Sequence, residues 1–241
     1  MNLAIISGGS RGLGRALCER YTAQGWRVLE FSRAAPHPYS VSVDLADPAA
    51  AQRVFAGQLA PLAATRWTRI VAIANAGVLD PIGPSAQKDP AQVLANLSVN
   101  IASTVMFLGE VVRAFQGHAC DKQVINISSG AALNAYPGWS LYCASKAATE
   151  MYVRAVALEQ ALQPHPLRVL SVSPGLIDTA MQATIRASTA ADFPAVDKFV
   201  ERHRNGELLP PEVVAAAVQR IADDASLAPG SRVTIEGHLA G

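Results

Sequence analysis

The sequence predicts an α/β fold: a single doubly wound parallel sheet of about seven strands with helices on both faces. Three observations carry this. Short apolar runs recur at 3–7, 26–31, 41–43, 69–74, 123–128, 167–172 and 232–236, and helical patterns separate most of them. The longer runs show little polar alternation, as in strands covered on both faces. Most runs end in small or polar residues, among them Asp44-Leu45, Asn75-Ala76-Gly77 and Ser173-Pro174-Gly175. In open parallel sheets those ends are where ligands bind.

At 241 residues, half of them hydrophobic, the chain reads as one domain, 1–241, able to bury a sizeable core. Formal net charge is +1 with no block of like charges. That argues against a nucleic-acid or membrane-surface partner. Cys18, Cys120 and Cys143 are odd in number and lack metal-ligand spacing. They read as reduced thiols in a reducing, cytoplasmic compartment, and no metal site is expected. The N-terminus runs straight into an apolar segment without a basic leader or cleavage pattern, so no signal peptide is expected. No apolar run is read as reaching the roughly 18 residues of a membrane helix.

The first strand leads at once into Gly8-Gly9-Ser10-Arg11-Gly12-Leu13-Gly14 and a helix over 13–24. In that context backbone N–H groups and the helix N-terminus receive dinucleotide phosphates, and missing side chains permit close approach. The spacing is Gly8-x-x-x-Gly12-x-Gly14 rather than the commoner Gly-x-Gly-x-x-Gly. The second strand ends in Ser32-Arg33. An acid there would suit unphosphorylated ribose, and a cation suits a 2′-phosphate. Arg11 and Arg33 therefore point to NADP(H), while Glu30 lies two residues too early for the ribose. Asp47-Pro48 marks the start of a helix to about 62. Residues 79–90 form a Pro-rich loop, and 91–116 one long helix holding Asn100 among apolar neighbours, where an amide needs a partner. Helices are expected over 139–162 and from Pro210-Pro211 to about 224. Residues 181–208 follow a strand end without a strand of their own, as a mobile substrate lid would; a surface helical hairpin is the alternative.

Tyr142 and Lys146 are four residues apart, on one face of the 139–162 helix. A nearby ammonium lowers the pKa of a phenol, and a tuned tyrosine can exchange a proton with a carbonyl or alcohol oxygen. Ser129 stands at the end of the fifth strand, where a hydroxyl can hydrogen-bond an oxygen that gains charge. Cys143 faces elsewhere on the helix and reads as a packing residue.

Taken together these motifs resemble the short-chain dehydrogenase/reductase family along essentially the whole chain. The resemblance implies a Rossmann-type fold and a catalytic tetrad of Asn100, Ser129, Tyr142 and Lys146. It implies a cofactor site from Gly8, Ser10, Arg11, Gly12, Leu13, Gly14, Ser32, Arg33, Asp44 (against adenine), Leu45, Asn75, Ala76 and Gly77. Tyr142, Lys146, Pro174, Gly175, Ile177 and Thr179 complete that site at the nicotinamide end. Segments 126–129, 138–144, 174–181 and 230–236 are closer to the sepiapterin reductase branch, which includes bacterial benzil reductases. In that branch an Asp near the C-terminus anchors the pterin; here Thr234 aligns with it. Glu236, two residues on along the expected last strand, is the available substitute.

The implied activity is NADPH-dependent reduction of a ketone, with a vicinal dicarbonyl of sepiapterin or benzil type as the small-molecule substrate. Ser129 and Tyr142 would hold the carbonyl oxygen, Tyr142 would donate the proton, and Lys146 would tune Tyr142 and bond the nicotinamide ribose. Asn100 would hold a relay water. A 3-oxoacyl-thioester reductase shares every catalytic residue and would need a basic patch; Lys198, Arg202, His203 and Arg204 are the available one. A nucleotide-sensing binding protein without catalysis is the alternative of another class. The family also implies a homodimer or homotetramer joined through the helices at 91–116 and 139–162.

Overall fold

In the computed structural model, which describes residues 1–239, the first strand shows how the sheet is covered. Strand β1 (Asn2–Ser7) sends Leu3 and Ile5 into one apolar core and Ala4 and Ile6 into another. Side chains two apart share a face, so an apolar run with no polar alternation feeds both cores at once.

Helix α1 (Gly12–Ala23), β2 (Arg27–Ser32), β3 (Ser40–Ser42), α2 (Pro48–Ala63) and β4 (Arg69–Ala74) follow. Next come α3 (Pro90–Leu97), α4 (Thr104–Phe115), β5 (Asp121–Ile127), α5 (Ser140–Gln160) and β6 (Arg168–Ser173). The chain closes with α6 (Ala180–Arg186), α7 (Val196–Arg204), α8 (Pro211–Asp223) and β7 (Arg232–Thr234). The strands form one sheet in the order β3-β2-β1-β4-β5-β6-β7, and every pair is parallel. Helices α2, α4 and α5 cover one face through residues such as Phe55, Phe107 and Val153. Helices α1 and α8 cover the other through residues such as Leu17 and Val218. The strand order reverses between β1 and β4, and in open parallel sheets ligands bind at such a point, outside the strands' C-terminal ends.

Local signals place several boundaries. Asp47 caps α2 by accepting from Ala50 N at 3.0 Å, with Pro48 at the first helical position. Asp89 caps α3 in the same way from Ala91 N and Gln92 N.

Three expectations need correction. The helix expected over 91–116 is interrupted by a π turn, Ser98–Ser103, centred on Asn100. In this turn the Asn100 side chain reaches out of the helix to the main chain of Val78. The stretch Pro90–Phe115 does reach, by length and composition, what a membrane span needs. It was overlooked because polar residues such as Asn96 and Ser103 interrupt it, and its Phe107, Leu108, Val111 and Phe115 lie in the core. The last strand ends at Thr234 rather than 236, and Glu236 opens a short 3-10 turn. Glu236 thus lies off the strand, but its carboxylate hydrogen-bonds the Thr234 side chain and so stands beside the position of the pterin anchor.

Candidate active site

Every candidate residue lies at the C-terminal edge of the sheet or in the helices beside it. The turn between β1 and α1 is shaped by missing side chains. Gly8 has φ +73°, and a Cβ there would lie 2.7 Å from the Ala76 Cα. Gly12 has φ +54° and faces Thr179 from the loop after β6. A Cβ on Gly14 would overlap the Gly8 carbonyl oxygen and the Asn75 amide. Asn75 Nδ2 holds that carbonyl at 2.9 Å, and the hydroxyl of Ser7 accepts from the backbone N–H groups of Asn75 and Ala76. Residues 75–77 thus buttress the glycine turn. No side chain caps α1, and its first turn carries no acid. Open N–H groups at a helix start beside a backbone-lined hollow are what a phosphate group needs. The residues present fit a dinucleotide.

Arg11 and Arg33 are exposed on either side of this turn, and Asp44 is exposed just after β3. Leu13 and Leu45 point into the two cores, so any contact they make with a cofactor is through the main chain. Glu30 is fully buried beneath the turn. It accepts from Gly9 N at 2.8 Å and from the Ser32 hydroxyl at 3.2 Å. Glu30 thus serves as an internal support of the glycine turn. Ser32 is corrected by the same contact. Its hydroxyl donates to Glu30 and accepts from Ala35 N, which leaves it no free proton for a phosphate.

On the other side of β4, α5 brings Tyr142 and Lys146 together, both buried. The Lys146 ammonium lies 5.7 Å from the Tyr142 ring centre and donates to Ile127 O at 2.8 Å. Ser129 faces Tyr142 from the end of β5, and its hydroxyl hydrogen-bonds the phenol. Lys146 Nζ and Asn100 Oδ1 both face Gly77. A Cβ at Gly77 would touch both at van der Waals distance, so the residue sits directly against this pair.

The electrostatics differ from the sequence expectation. Burial pushes the Tyr142 phenol above its ordinary value, opposed by the Ser129 hydrogen bond. Burial also pulls Lys146 down to about 8, opposed by the charge of Glu150. Desolvation outweighs the attraction expected between the pair. Asn100 is held through its side chain. Both of its amide hydrogens are used, on Val78 O at 2.8 Å and Asn96 Oδ1 at 3.1 Å, while its oxygen accepts from Val78 N. The side-chain amide fixes the turn after Gly77. Cys143 packs as expected, its thiol reaching Asn134 O at 3.6 Å.

The segment after β6 puts Pro174, Gly175, Ile177 and Thr179 along the rim of the site. The segment 181–208 carries most of α6 and all of α7, a helical hairpin. Phe193 in that hairpin stacks on Trp139 at 4.4 Å and 3°. Trp139 in turn meets the Tyr142 ring edge-on at 5.9 Å. Neither Trp139 nor Glu150 was singled out from sequence. Glu150 repeats the Tyr142–Lys146 interval, a signal that was available; Trp139 carries no comparable one.

Comparison with known proteins agrees with this geometry. The short chain dehydrogenase family model matches residues 2–190. A benzil reductase ((S)-benzoin forming) of Bacillus subtilis (strain 168) is 33% identical over 90% of this chain and 92% of its own. The sepiapterin reductase of Bos taurus is 29% identical over 96% and 93%. The crystal structure of KRED1-Pglu enzyme superposes with a TM-score of 0.82 at 27% identity, covering 97% of this chain and all of that one. With a seven-stranded parallel sheet, a glycine turn after β1 and Tyr142 beside Lys146, the chain belongs to the short-chain dehydrogenase family of oxidoreductases.

Proposed function

We propose that this protein is an NADPH-dependent carbonyl reductase that converts one carbonyl of a vicinal diketone into an alcohol. The observation that carries the reading is the convergence of Ser129, Tyr142 and Lys146 in a buried site next to the glycine turn. Arg11 and Arg33 would hold the 2′-phosphate and the turn from Gly8 to Gly14 the pyrophosphate. Asp44 would face adenine, and Asn75 to Gly77, Pro174, Gly175, Ile177 and Thr179 would line the nicotinamide end. The bound dinucleotide supplies the hydride.

The chain's own residues do the rest. Ser129 donates to the substrate oxygen, and Tyr142 hands its proton to the same oxygen as charge develops. A phenol kept protonated by burial suits a donor in the reductive direction. Lys146 spends one hydrogen on Ile127 O and has two left for the cofactor ribose and the phenol. Asn100 keeps the 77–78 turn in place. The hairpin at 181–208 serves as the lid, and its aromatic contact with Trp139 suits an aryl-bearing substrate.

The names of the relatives support a diketone or pterin-like substrate. The benzil reductase of Bacillus subtilis is the more similar of the two relatives, 33% against 29% identical, which favours the diketone over the pterin. The thioester alternative is weakened by the surface of α7, where Asp197 and Glu201 are interleaved with Lys198, Arg202 and Arg204. Exposed Leu94, Met151 and Leu158 on α3 and α5 fit assembly into a homodimer or homotetramer through these helices.

The test is NADPH oxidation over a panel of benzil, smaller vicinal diketones, sepiapterin and an acetoacetyl thioester. Strong turnover of aromatic diketones is expected, with little on sepiapterin. Preference for the thioester would replace the reading with the lipid one. NADPH binding without turnover of any carbonyl would leave a nucleotide sensor.

A further inference from the structure

Behind the catalytic side chains lies a buried ion pair that the proposed reaction does not use. Glu150 stands one turn beyond Lys146 on the same face of α5 and is 4% exposed. Its Oε1 accepts from the Ser128 hydroxyl at 2.5 Å and from Arg232 Nε at 2.9 Å. Arg232 comes from β7, 82 residues away, and its Nη2 donates to the Ser129 main-chain oxygen at 3.2 Å. Lys146 holds Ile127 O. Three successive residues, 127, 128 and 129, are thus each gripped by a charged side chain, from the buried Lys146 and Glu150 and from the half-buried Arg232.

A loop needs no such arrangement merely to stay folded. A buried ion pair costs desolvation, and apolar replacement of both partners is often neutral for stability. The grip acts on the residues that fix where the Ser129 hydroxyl stands, and its far end is the strand that closes the sheet. Arg232 is also suited to the task in a way lysine is not, because its planar fork serves a carboxylate and a carbonyl together.

We propose that the Arg232–Glu150 pair is a positioning device for the catalytic centre, fixing Ser129 against Tyr142 and keeping the charge balance around Lys146. The inference rests on the reductase reading above. The groups around Lys146 are Tyr142 and Glu150 from α5, the Ile127 carbonyl from the β5 end, and the Asn100 amide from the π turn; Ser129 faces Tyr142, and Arg232 from β7 faces Glu150.

The test uses the full chain and three variants, Arg232→Met, Arg232→Lys and the apolar double variant Arg232→Met/Glu150→Leu. Misplacing a reacting group by about 1 Å can cost on the order of 10²-fold. Arg232→Met is expected to lower kcat roughly 10- to 100-fold, with NADPH affinity by fluorescence titration unchanged. Arg232→Lys should restore only part of kcat, because it keeps the charge and loses the second contact. The double variant decides the matter where the single one unfolds. If it folds with wild-type thermal stability and stays slow, the pair positions; if it folds and turns over like wild type, the pair is only structural and the proposal falls. A second readout does not need turnover. The chain has four lysines, Lys88, Lys122, Lys146 and Lys198, so the titration of Lys146 can be followed by carbon-13 NMR. Glu150→Gln should move its midpoint to lower pH, and an unmoved midpoint overturns the electrostatic half of the proposal. A wild-type chain inactive on every carbonyl would sink the reductase reading instead, and the NMR titration would still judge the pair.

Discussion

The two halves of the sheet each mount a functional loop over a buried glutamate, and they treat it differently. On the β1–β3 side Glu30 takes only uncharged donors, Gly9 N–H and the Ser32 hydroxyl. Cys18 nearby is pushed up to about 12, by burial first and by Glu30 second, so no second negative charge forms there. The cations of that half, Arg11 and Arg33, stay exposed. On the β5–β7 side Glu150 is paired with Arg232 and stands next to Lys146, with Glu150 and Lys146 buried and Arg232 largely shielded. The difference follows from the task each half is assigned. A half that receives phosphate keeps its cations at the surface, where they can meet it. A half that moves a proton needs its charges fixed and dry, because electrostatic interactions are stronger there. Damage to the first should then appear as lost affinity, and damage to the second as lost turnover.

The largest expected effect is on the second half. Tyr142→Phe keeps the ring against Trp139 and removes the proton. kcat should fall roughly 10²–10⁴-fold, while NADPH binding measured by fluorescence stays as it was. Equal losses in both would merge the two halves into one functional unit. The pH profile sharpens the same point. Lys146 is charged below about 8 and loses its charge as pH rises through that value. Reductive kcat should therefore hold near neutrality and fall by about tenfold per pH unit above it. A profile flat to well beyond that range would mean that the ammonium is not required.

Arg33→Ala probes the first half. A charge-assisted contact from an exposed arginine is screened, so kcat/KM with NADPH should drop on the order of tenfold. Activity with NADH should stay the same or rise. If both cofactors suffer alike, Arg33 holds the turn rather than a 2′-phosphate.

The halves also differ in how far the sequence revealed them. The glycine turn was legible because its chemistry is local: Gly8, Gly12 and Gly14 lie within seven residues, directly after an apolar run. Tyr142 and Lys146 were legible for the same reason, one helical turn apart. Sequence spacing could not show that Glu30 turns inward, since a strand end allows either direction until the Gly9 N–H fixes it. Nor could it pair Arg232 with Glu150, because that contact exists only once β7 docks beside β6. The tuning of Tyr142 was misjudged for a related reason. Proximity to Lys146 could be read from spacing, but the stronger effect, burial, depends on the whole fold. The π turn at Asn100 was missed because an isolated polar residue in a helical pattern does not announce where its side chain will go.

The smallest effect tests where the boundary between the halves runs. Asp47→Ala and Asp89→Ala each remove a helix N-cap, and each should cost about 1 kcal/mol, a melting shift of roughly 2–4 °C for a chain of this size. They are matched locally but differ in what their helices carry. Helix α2 packs on the core below the cofactor side. Helix α3 carries Asn96, which accepts from Asn100 Nδ2 and donates to Asp80 O at 2.6 Å. Asn100 is also held twice by Val78, so fraying the start of α3 should leave it in place. Equal melting shifts with unchanged kcat in both variants would set α3 outside the catalytic half. A clear loss of kcat in Asp89→Ala alone would extend that half through α3, and would mean that Asn100 depends on its helix more than on its bonds to Val78.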